Sequence, residues 1–294
     1  MQETTVFEAH SSYVLGLLFT SDSQTLISAG MDNVIKLWSV PGWEPVRTLV
    51  GHANSVNSIA LAPNGRVLAS GSTDATVKLW AFPDGQVLHT LQDRKKVVAA
   101  VRISPDGRWI AAGSYGGRAR VWTLGGEDVV AIPASRKNLS ALVFSPDGRT
   151  LATAGLGDEI GLWALPSGER MGALAGHQVA VTSLASIHGG RTLVSMGHER
   201  SIKFWDTGTW QETQTLLLDA PSVRGMAFSH DERLLAVSTE HEIQLLSVDS
   251  GTLQAALSVS PKSVSALAFS PDGRWLAAGA ADRKIRVWDL VSME

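Results

Sequence analysis

The strongest constraint on the fold is a pattern ending in tryptophan that returns at a nearly fixed interval. Residues 70–80 have the sequence SGSTDATVKLW, and residues 28–38 and 195–205 carry close variants of it. Successive copies end 41 or 42 residues apart along the whole chain. A period near 40 residues is typical of repeat proteins, in which each unit packs on the next. The final position of the pattern falls on Trp38, Trp80, Trp122, Trp163, Trp205, Leu246 and Trp288.

Each repeat contains four short segments with the composition of β-strands, because apolar, β-branched and aromatic residues predominate in them. Turn residues separate the segments, most clearly as Ser-Pro-Asp-Gly-Arg at residues 104–108 and 270–274. Proline suits the first central position of a type I turn, and glycine accepts the left-handed conformation that follows. No long helical period occurs, so the sequence predicts an all-β chain. The segments of the first repeat are residues 14–19, 25–29, 34–38 and 45–49.

The two ends of the chain are complementary. Residues 4–7 lie just before His10, as residues 47–49 lie just before His52, so they correspond to a fourth strand without the preceding three. Residues 264–290 supply three strands and no fourth. A closed ring leaves no bare sheet at either end. We therefore predict a single domain, residues 1–294, of seven four-stranded antiparallel blades, in which residues 4–7 complete the last blade.

The chain resembles the WD-repeat β-propeller family over essentially its whole length. The resemblance rests on the Gly-His pair that ends at His52, on its copy at His177, on the Ser-Pro-Asp-Gly-Arg turns, and on the Trp-Asp pairs that begin at Trp205 and Trp288. It implies a seven-bladed β-propeller. The family is known for assembling protein complexes, so the resemblance also implies a scaffold that binds protein or peptide segments, as in signalling.

Three repeats share a histidine, a serine, an acid and a tryptophan at offsets 0, 18, 22 and 28. A Ser/His/acid set could indicate a hydrolase, but one catalytic site would not need three copies. The resemblance implies instead a structural relay from the indole N–H through serine and histidine to the acid. Buried polar groups of this kind need partners, and such a relay provides them. The three sets are His10, Ser28, Asp32 and Trp38; His52, Ser70, Asp74 and Trp80; and His177, Ser195, Glu199 and Trp205.

The other repeats have lost this set of residues, so we expect their blades to depend mainly on packing. Blade 6 has Leu246 in place of the tryptophan, and blade 7 keeps Asp282 but has Ala278 at the serine position. The equivalent residues of blades 3 and 4 are Arg94, Ala112, Gly116 and Trp122, then Ser135, Thr153, Gly157 and Trp163.

A binding surface is predicted at the mouth of the central channel and on the face around it, called the top, which carries the loops between blades and the loops between second and third strands. The two tyrosines of the chain fall there, and basic residues cluster on blades 3 and 4 beside one of them. Tyrosine and arginine often anchor interfaces, and basic residues attract acidic segments. The alternative is that these cations only keep the loops solvated. The predicted binding residues are Tyr13, Met31, Arg94, Lys95, Lys96, Tyr115, Arg136, Lys137 and His198.

The amino-acid composition argues against several other classes of function. A net charge of −3 argues against nucleic-acid binding, and the absence of cysteine excludes thiolate metal sites. No apolar run suggests a membrane span, and the N-terminal residues lack the features of a signal peptide. We expect a cytoplasmic monomer that is not an enzyme, with no metal and no cofactor.

The competing hypothesis is a small-ligand-binding or hydrolytic propeller that uses the central channel. It is weakened because first strands such as 98–101 are rich in small and apolar residues.

Overall fold

The computed structural model describes residues 5–92, 96–220, 222–240, 242–259 and 263–291. Within these ranges the chain forms 28 β-strands and one short 3-10 helix, His188–Gly190. The strands make seven four-stranded antiparallel sheets, so the predicted all-β, seven-bladed β-propeller fold is confirmed. In the part of the chain that is described, no helix has the length and apolar character needed to cross a membrane.

The first strand, β1, is Thr5–Glu8. Blade 1 contains β2 (Val14–Phe19), β3 (Thr25–Gly30), β4 (Val34–Ser39) and β5 (Pro45–Val50). Blade 2 contains β6 (Val56–Leu61), β7 (Val67–Ser72), β8 (Thr76–Ala81) and β9 (Val87–Gln92). Blade 3 contains β10 (Val98–Ile103), β11 (Trp109–Ser114), β12 (Ala119–Thr123) and β13 (Asp128–Ile132). Blade 4 contains β14 (Leu139–Phe144), β15 (Thr150–Gly155), β16 (Glu159–Ala164) and β17 (Arg170–Ala175).

Blade 5 contains β18 (Val181–Ile187), β19 (Thr192–Gly197), β20 (Ser201–Asp206) and β21 (Glu212–Leu217). Blade 6 contains β22 (Val223–Phe228), β23 (Leu234–Thr239), β24 (Glu242–Ser247) and β25 (Leu253–Ser258). Blade 7 contains β26 (Val264–Phe269), β27 (Trp275–Ala280) and β28 (Lys284–Asp289), with β1 as its fourth strand. The chain divides into two compact units, the first made of residues 1–57 and 220–294 and the second of residues 58–219.

In the first unit, the N-terminal strand completes the last sheet, as the sequence predicts. Strand β1 pairs antiparallel with β28, with Thr5 opposite Val287 and Glu8 opposite Lys284. An aromatic cluster packs behind this pairing: the ring of Phe7 lies 4.9 Å from that of Trp38, measured between centroids. Buried aromatic pairs add to the stability that apolar burial provides. The strand from one end of the sequence is therefore held both by the sheet and by the core.

In the second unit, the repeated tryptophan of blades 3, 4 and 5 packs on the blade before it. Trp122 of blade 3 belongs to a buried cluster with Leu79 of blade 2. Trp163 of blade 4 lies in a cluster with residues of blade 3, and Trp205 of blade 5 lies in one with residues of blade 4. A sheet that is apolar on both faces must be covered by its neighbours. The 41- to 42-residue period of tryptophans is thus the period of inter-blade packing in this unit.

The Ser-Pro-Asp-Gly-Arg turns are closed by their own side chains. The Ser104 hydroxyl donates to Asp106 Oδ1 at 2.6 Å, and the same carboxylate oxygen accepts from the backbone N–H of Arg108 at 3.0 Å. Gly107 has a φ of +73°, the left-handed conformation that favours glycine. The equivalent hydroxyl of Ser145 holds the pKa of Asp147 below its usual value. These carboxylates are therefore already satisfied within the turns.

Candidate functional site

The histidine set of blade 5 forms a continuous chain of buried hydrogen bonds. The Trp205 indole N–H donates to Ser195 Oγ at 2.8 Å, and Ser195 Oγ lies 2.7 Å from His177 Nε2. His177 Nδ1 contacts Glu199 Oε1, which also accepts from the Ser201 hydroxyl at 2.6 Å. Burial raises the pKa of Glu199, but the hydrogen bonds from Ser201 and His177 together outweigh it and hold that pKa below its usual value. Its second oxygen, Oε2, is buried and has no hydrogen-bond partner among the described residues.

Blade 1 has the same arrangement with the shorter acid. Trp38 Nε1 donates to Ser28 Oγ at 2.8 Å, and His10 bridges Ser28 and Asp32, with its Nε2 and Nδ1 each 2.8 Å from an oxygen of its partner. The second oxygen of Asp32 accepts the backbone N–H of Ser11 at 2.9 Å. Burial lowers the pKa of His10, while Asp32 partly opposes this effect. Aspartate thus satisfies both of its oxygens where the longer Glu199 satisfies one.

In blade 2, the Trp80 indole donates to Ser70 Oγ at 2.8 Å, and His52 is buried. Asp74 accepts from the backbone N–H of Thr76 at 2.9 Å. The serines of these sets, Ser28, Ser70 and Ser195, are completely buried, so a substrate in solution cannot reach their hydroxyl groups. The arrangement serves to satisfy buried polar groups.

Blade 4 keeps one bond of the relay without the histidine or the acid. The Trp163 indole N–H donates to Thr153 Oγ1 at 2.9 Å, because threonine supplies the hydroxyl that serine supplies elsewhere. Beyond that hydroxyl lies an open cavity of about 210 Å³. Its lining includes the residues at the three vacated positions, Ser135, Thr153 and Gly157. The sequence indicates the missing residues but not the space that they leave.

In blade 7, an arginine replaces the histidine as the partner of the acid. Arg286 Nη2 lies 2.6 Å from Asp282 Oδ2, and Nη1 lies 3.2 Å from Oδ1, a bidentate pair in which Arg286 is only 5% exposed. Arg286 is not among the residues predicted from the sequence. A signal was available, since the position two residues before the tryptophan is also basic at Lys36 and Lys203. Side chains there lie on the same strand as the tryptophan, but Lys36 donates to the Ala9 carbonyl and Lys203 pairs with Glu212, so of these three only Arg286 pairs with the acid of its own turn.

The loop that enters blade 4 is fixed by backbone hydrogen bonds to the hairpins of blades 3 and 4. The Ser135 N–H donates to the Gly117 carbonyl at 2.8 Å, and the Leu156 N–H donates to the Asn138 carbonyl at 2.9 Å. The Asn138 side chain accepts the Gly116 N–H at 2.9 Å. A β-carbon at residue 117 would overlap the Ser135 carbonyl, and the φ of +79° there also requires glycine. Residues 136 and 137 are therefore presented from a fixed loop.

Four predicted binding residues lie exposed around this loop. They are Lys96, Tyr115, Arg136 and Lys137. The backbone of Tyr115 is held in place because its N–H donates to the Val97 carbonyl.

The other predicted binding residues lie away from this loop. In the same unit, His198 is exposed on the blade 5 hairpin. In the other unit, Tyr13 and Met31 are both exposed and joined by the bond from the Met31 N–H to the Tyr13 carbonyl. Two predicted residues lie outside the described ranges: Arg94 and Lys95.

Residues that the sequence analysis did not select also contribute to this region. Leu156 is 52% exposed beside the fixed loop, and the blade 4 hairpin adds the carboxylates of Asp158 and Glu159. Glu159 pairs with Arg170 at 3.3 Å, so that acid is neutralised locally. The charge of the region is therefore basic but less strongly so than the lysines and arginines alone suggest.

Comparison with known proteins agrees with the fold. A family model described as IFT122 first beta-propeller matches residues 13–220, and one described as WD domain, G-beta repeat, matches residues 251–289. Target of rapamycin complex subunit wat1 of Schizosaccharomyces pombe is 27% identical over 33% of this chain and 32% of its own. Target of rapamycin complex subunit LST8 of Saccharomyces cerevisiae is 26% identical over 34% of this chain and 34% of its own.

U3 small nucleolar RNA-associated protein 21 of Saccharomyces cerevisiae is 29% identical over 39% of this chain and 12% of its own. The matches thus span about a third or less of the length of these relatives. The model of the IFT122 first beta-propeller covers well over half of the chain, and the model of the WD domain matches its last repeat. This chain belongs to the WD-repeat β-propeller family.

Proposed function

We propose that this chain is a non-enzymatic interaction module that binds an acidic protein segment on the loops of blades 3 and 4. The binding region, here named the basic loop surface, consists of Lys96, Tyr115, Arg136, Lys137 and Leu156. The observation that carries the proposal is the fixed loop. It presents two exposed cations between an exposed tyrosine and an exposed leucine, and backbone bonds from both neighbouring hairpins hold it in place.

The charges on this surface favour an acidic partner. Within the ranges that the structure describes, Lys96, Arg136 and Lys137 form no ion pair, whereas Arg120 and Lys203 do. Exposed cations without a partner attract an acidic chain from a distance and accelerate its association. Tyr115 and Leu156 supply the apolar area that long-range attraction lacks, and tyrosine and arginine are frequent energetic anchors of interfaces.

The named relatives are consistent with assembly into complexes. Two of them are, by name, subunits of target of rapamycin complexes, and a third is a small nucleolar RNA-associated protein. We extend to this chain the role of a subunit that holds other proteins, with no enzymatic activity of its own. Cytoplasmic location, a monomeric state and the absence of nucleic-acid binding stay predictions, as do the contributions of Tyr13, Met31 and His198 to binding.

The proposal is tested by charge reversal on the basic loop surface. A variant with Lys96→Glu, Arg136→Glu and Lys137→Glu is compared with one of equal charge change in other exposed loops of the same unit, Arg66→Glu, Arg149→Glu and Arg191→Glu. Partners are captured from native lysate and quantified by mass spectrometry. We expect the first variant to lose acidic partners that the second retains. Equal recovery by both variants and the unaltered protein would overturn the proposal.

A further inference from the structure

The cavity of blade 4 occupies the place where blades 1 and 5 hold an imidazole and a carboxylate. Ser135 stands at the histidine position, Gly157 stands at the acid position, and the hydroxyl of Thr153 forms part of the wall. The volume is about 210 Å³ and the cavity is open to the surface. A polar space of this size must be filled by water or by a ligand, because its walls carry hydrogen-bonding groups.

The walls carry donors that lack the acceptor found in blade 1. There, Asp32 accepts the backbone N–H of the residue after the histidine, Ser11, at 2.9 Å. The equivalent N–H in blade 4 is that of Arg136, and no described group accepts it. The Ser135 oxygen accepts the Lys137 N–H at 3.0 Å, and no group in the described ranges accepts the hydroxyl proton of Ser135. The vacated site therefore retains donors at the two positions that serve the carboxylate of Asp32 in blade 1.

The charges around the cavity also favour an anion. Arg136, Lys137 and Arg170 line it together with Asp158 and Glu159, and Arg170 is paired with Glu159 at 3.3 Å. The three cationic side chains therefore outnumber the two acidic ones by one positive charge. Arg136 and Lys137 belong both to the cavity and to the basic loop surface, so the two regions are continuous. A bound acidic chain can reach the cavity without leaving the surface.

We infer that the cavity receives one carboxylate side chain of the bound partner, which takes the place that Asp32 holds in blade 1. This inference rests on the proposed function, because the carboxylate belongs to the acidic segment on the basic loop surface. The partner's aspartate or glutamate accepts the Arg136 N–H and the hydroxyl proton of Ser135, with the cations beside it. Charge-assisted bonds of this kind are stronger than those between neutral groups, and they fix the register of the segment.

The site can be filled from within the chain, and this makes the inference testable. A β-carbon on Gly157 would meet no atom within 4 Å, and its φ lies outside the left-handed region. Gly116, at the acid position of blade 3, has a φ of +100° and would strain any other residue. The variant with Ser135→His and Gly157→Asn thus plugs the cavity of blade 4 without adding net charge. Gly157→Ala is the matched control, since a methyl group leaves the cavity open.

Binding is measured by fluorescence anisotropy with a short fluorescent glutamate-rich peptide, and a glutamine-rich peptide of equal length serves as the uncharged reference. We expect the plugged variant to weaken binding by about tenfold, while Gly157→Ala binds as the unaltered protein does. We also expect sodium acetate to displace the peptide at a lower concentration than sodium chloride. A melting temperature at or above that of the unaltered protein shows that the plugged variant is folded.

The outcomes separate the cavity from the surface around it. If Lys96→Glu weakens binding and the plugged variant does not, the cavity inference is wrong and the proposed surface stands. The same conclusion follows if acetate and chloride compete equally at the same ionic strength. If the glutamate-rich and glutamine-rich peptides bind the unaltered protein equally, the proposal that the partner segment is acidic is wrong. The cavity inference then fails with it.

Discussion

Blades 4 and 5 belong to the same unit and each consist of four strands, yet they provide the hydrogen-bond partner of the buried tryptophan indole in different ways. Trp205 donates to a serine that is linked onward to His177 and Glu199, whereas Trp163 donates to Thr153 and the chain of bonds stops there. Both indoles remain buried. The blade therefore needs an acceptor for the indole N–H but does not need the histidine or the acid. Loss of those two residues leaves an open polar cavity instead of a collapsed blade.

The glycine two residues before the acid position shows the same difference. In blade 5, a β-carbon on Gly197 would meet the carboxylate of Glu199, the flexible end of a side chain. In blade 4, a β-carbon on Gly155 would overlap the carbonyl oxygen of Asn138 and crowd the Cα of Leu139, which are backbone atoms. The two glycines occupy equivalent positions, but Gly197 faces a side chain in blade 5 and Gly155 faces the backbone of a neighbouring loop in blade 4.

The largest effect should come from Gly155→Ala. The methyl group cannot fit unless the loop that carries Arg136 and Lys137 moves, so we expect a loss of about 3 kcal/mol in the free energy of unfolding. The matched change Gly197→Ala should cost about 1 kcal/mol, because Glu199 can turn away. Denaturant titration of both variants measures the difference. Equal losses would show that the two glycines serve the same purpose.

An intermediate effect is expected from His177→Ala. The change leaves Ser195 and Glu199 without their shared partner inside the blade, at a cost of about 2 kcal/mol. Ser135→Ala removes the side chain at the equivalent position of blade 4, where no relay exists, and should change stability by at most about 0.5 kcal/mol. Thermal melting of both variants is the measurement. A melting temperature unchanged by His177→Ala would contradict a stabilising role for the relay.

The smallest effect should be a dependence of stability on mildly acidic pH. Burial lowers the pKa of His10 below its usual value near 6.5, with Lys36 adding to this and Asp32 opposing it. The unfolded chain then binds more protons than the folded one, so stability is present above that usual value and is lost as the pH falls through the folded pKa. Melting temperatures of the protein and of His10→Asn are compared at pH 7.5 and 5.5. We expect the decrease on acidification to be smaller in the variant, and an equal decrease would contradict the assignment to His10.

The sequence is sufficient to predict the blades because each signal is local and repeated. The tryptophan period, the turn motif of residues 270–274 and the offset from His177 to Glu199 all lie within one repeat. The pairing of β1 with β28 was also predictable, because the strand count at each end is complementary. In each of these cases one repeat serves as the template for another.

The exceptions depend on three-dimensional distances that the spacing of residues within a repeat does not give. Arg286 reaches Asp282 only because its strand runs beside the turn, and the cavity of blade 4 appears only once Ser135, Thr153 and Gly157 are brought together. The acids of the blade 4 hairpin reduce the positive charge that was predicted from Arg136 and Lys137 alone. Substitutions at template positions can thus be recognised in the sequence, but whether a new partner or a void replaces the lost residue is decided by packing.

The pairing of β1 with β28 has a consequence for biosynthesis. On the ribosome, domains usually form from the N-terminal side as they emerge, but β1 emerges before strands β2 to β27, and β28, its hydrogen-bonding neighbour, emerges after them. The Phe7 side chain must therefore remain without its final strand partner while strands β2 to β27 are translated. Protection of this short segment by a chaperone, or delayed burial of Phe7 until β28 has emerged, is the expected consequence of pairing two strands that lie so far apart in the sequence.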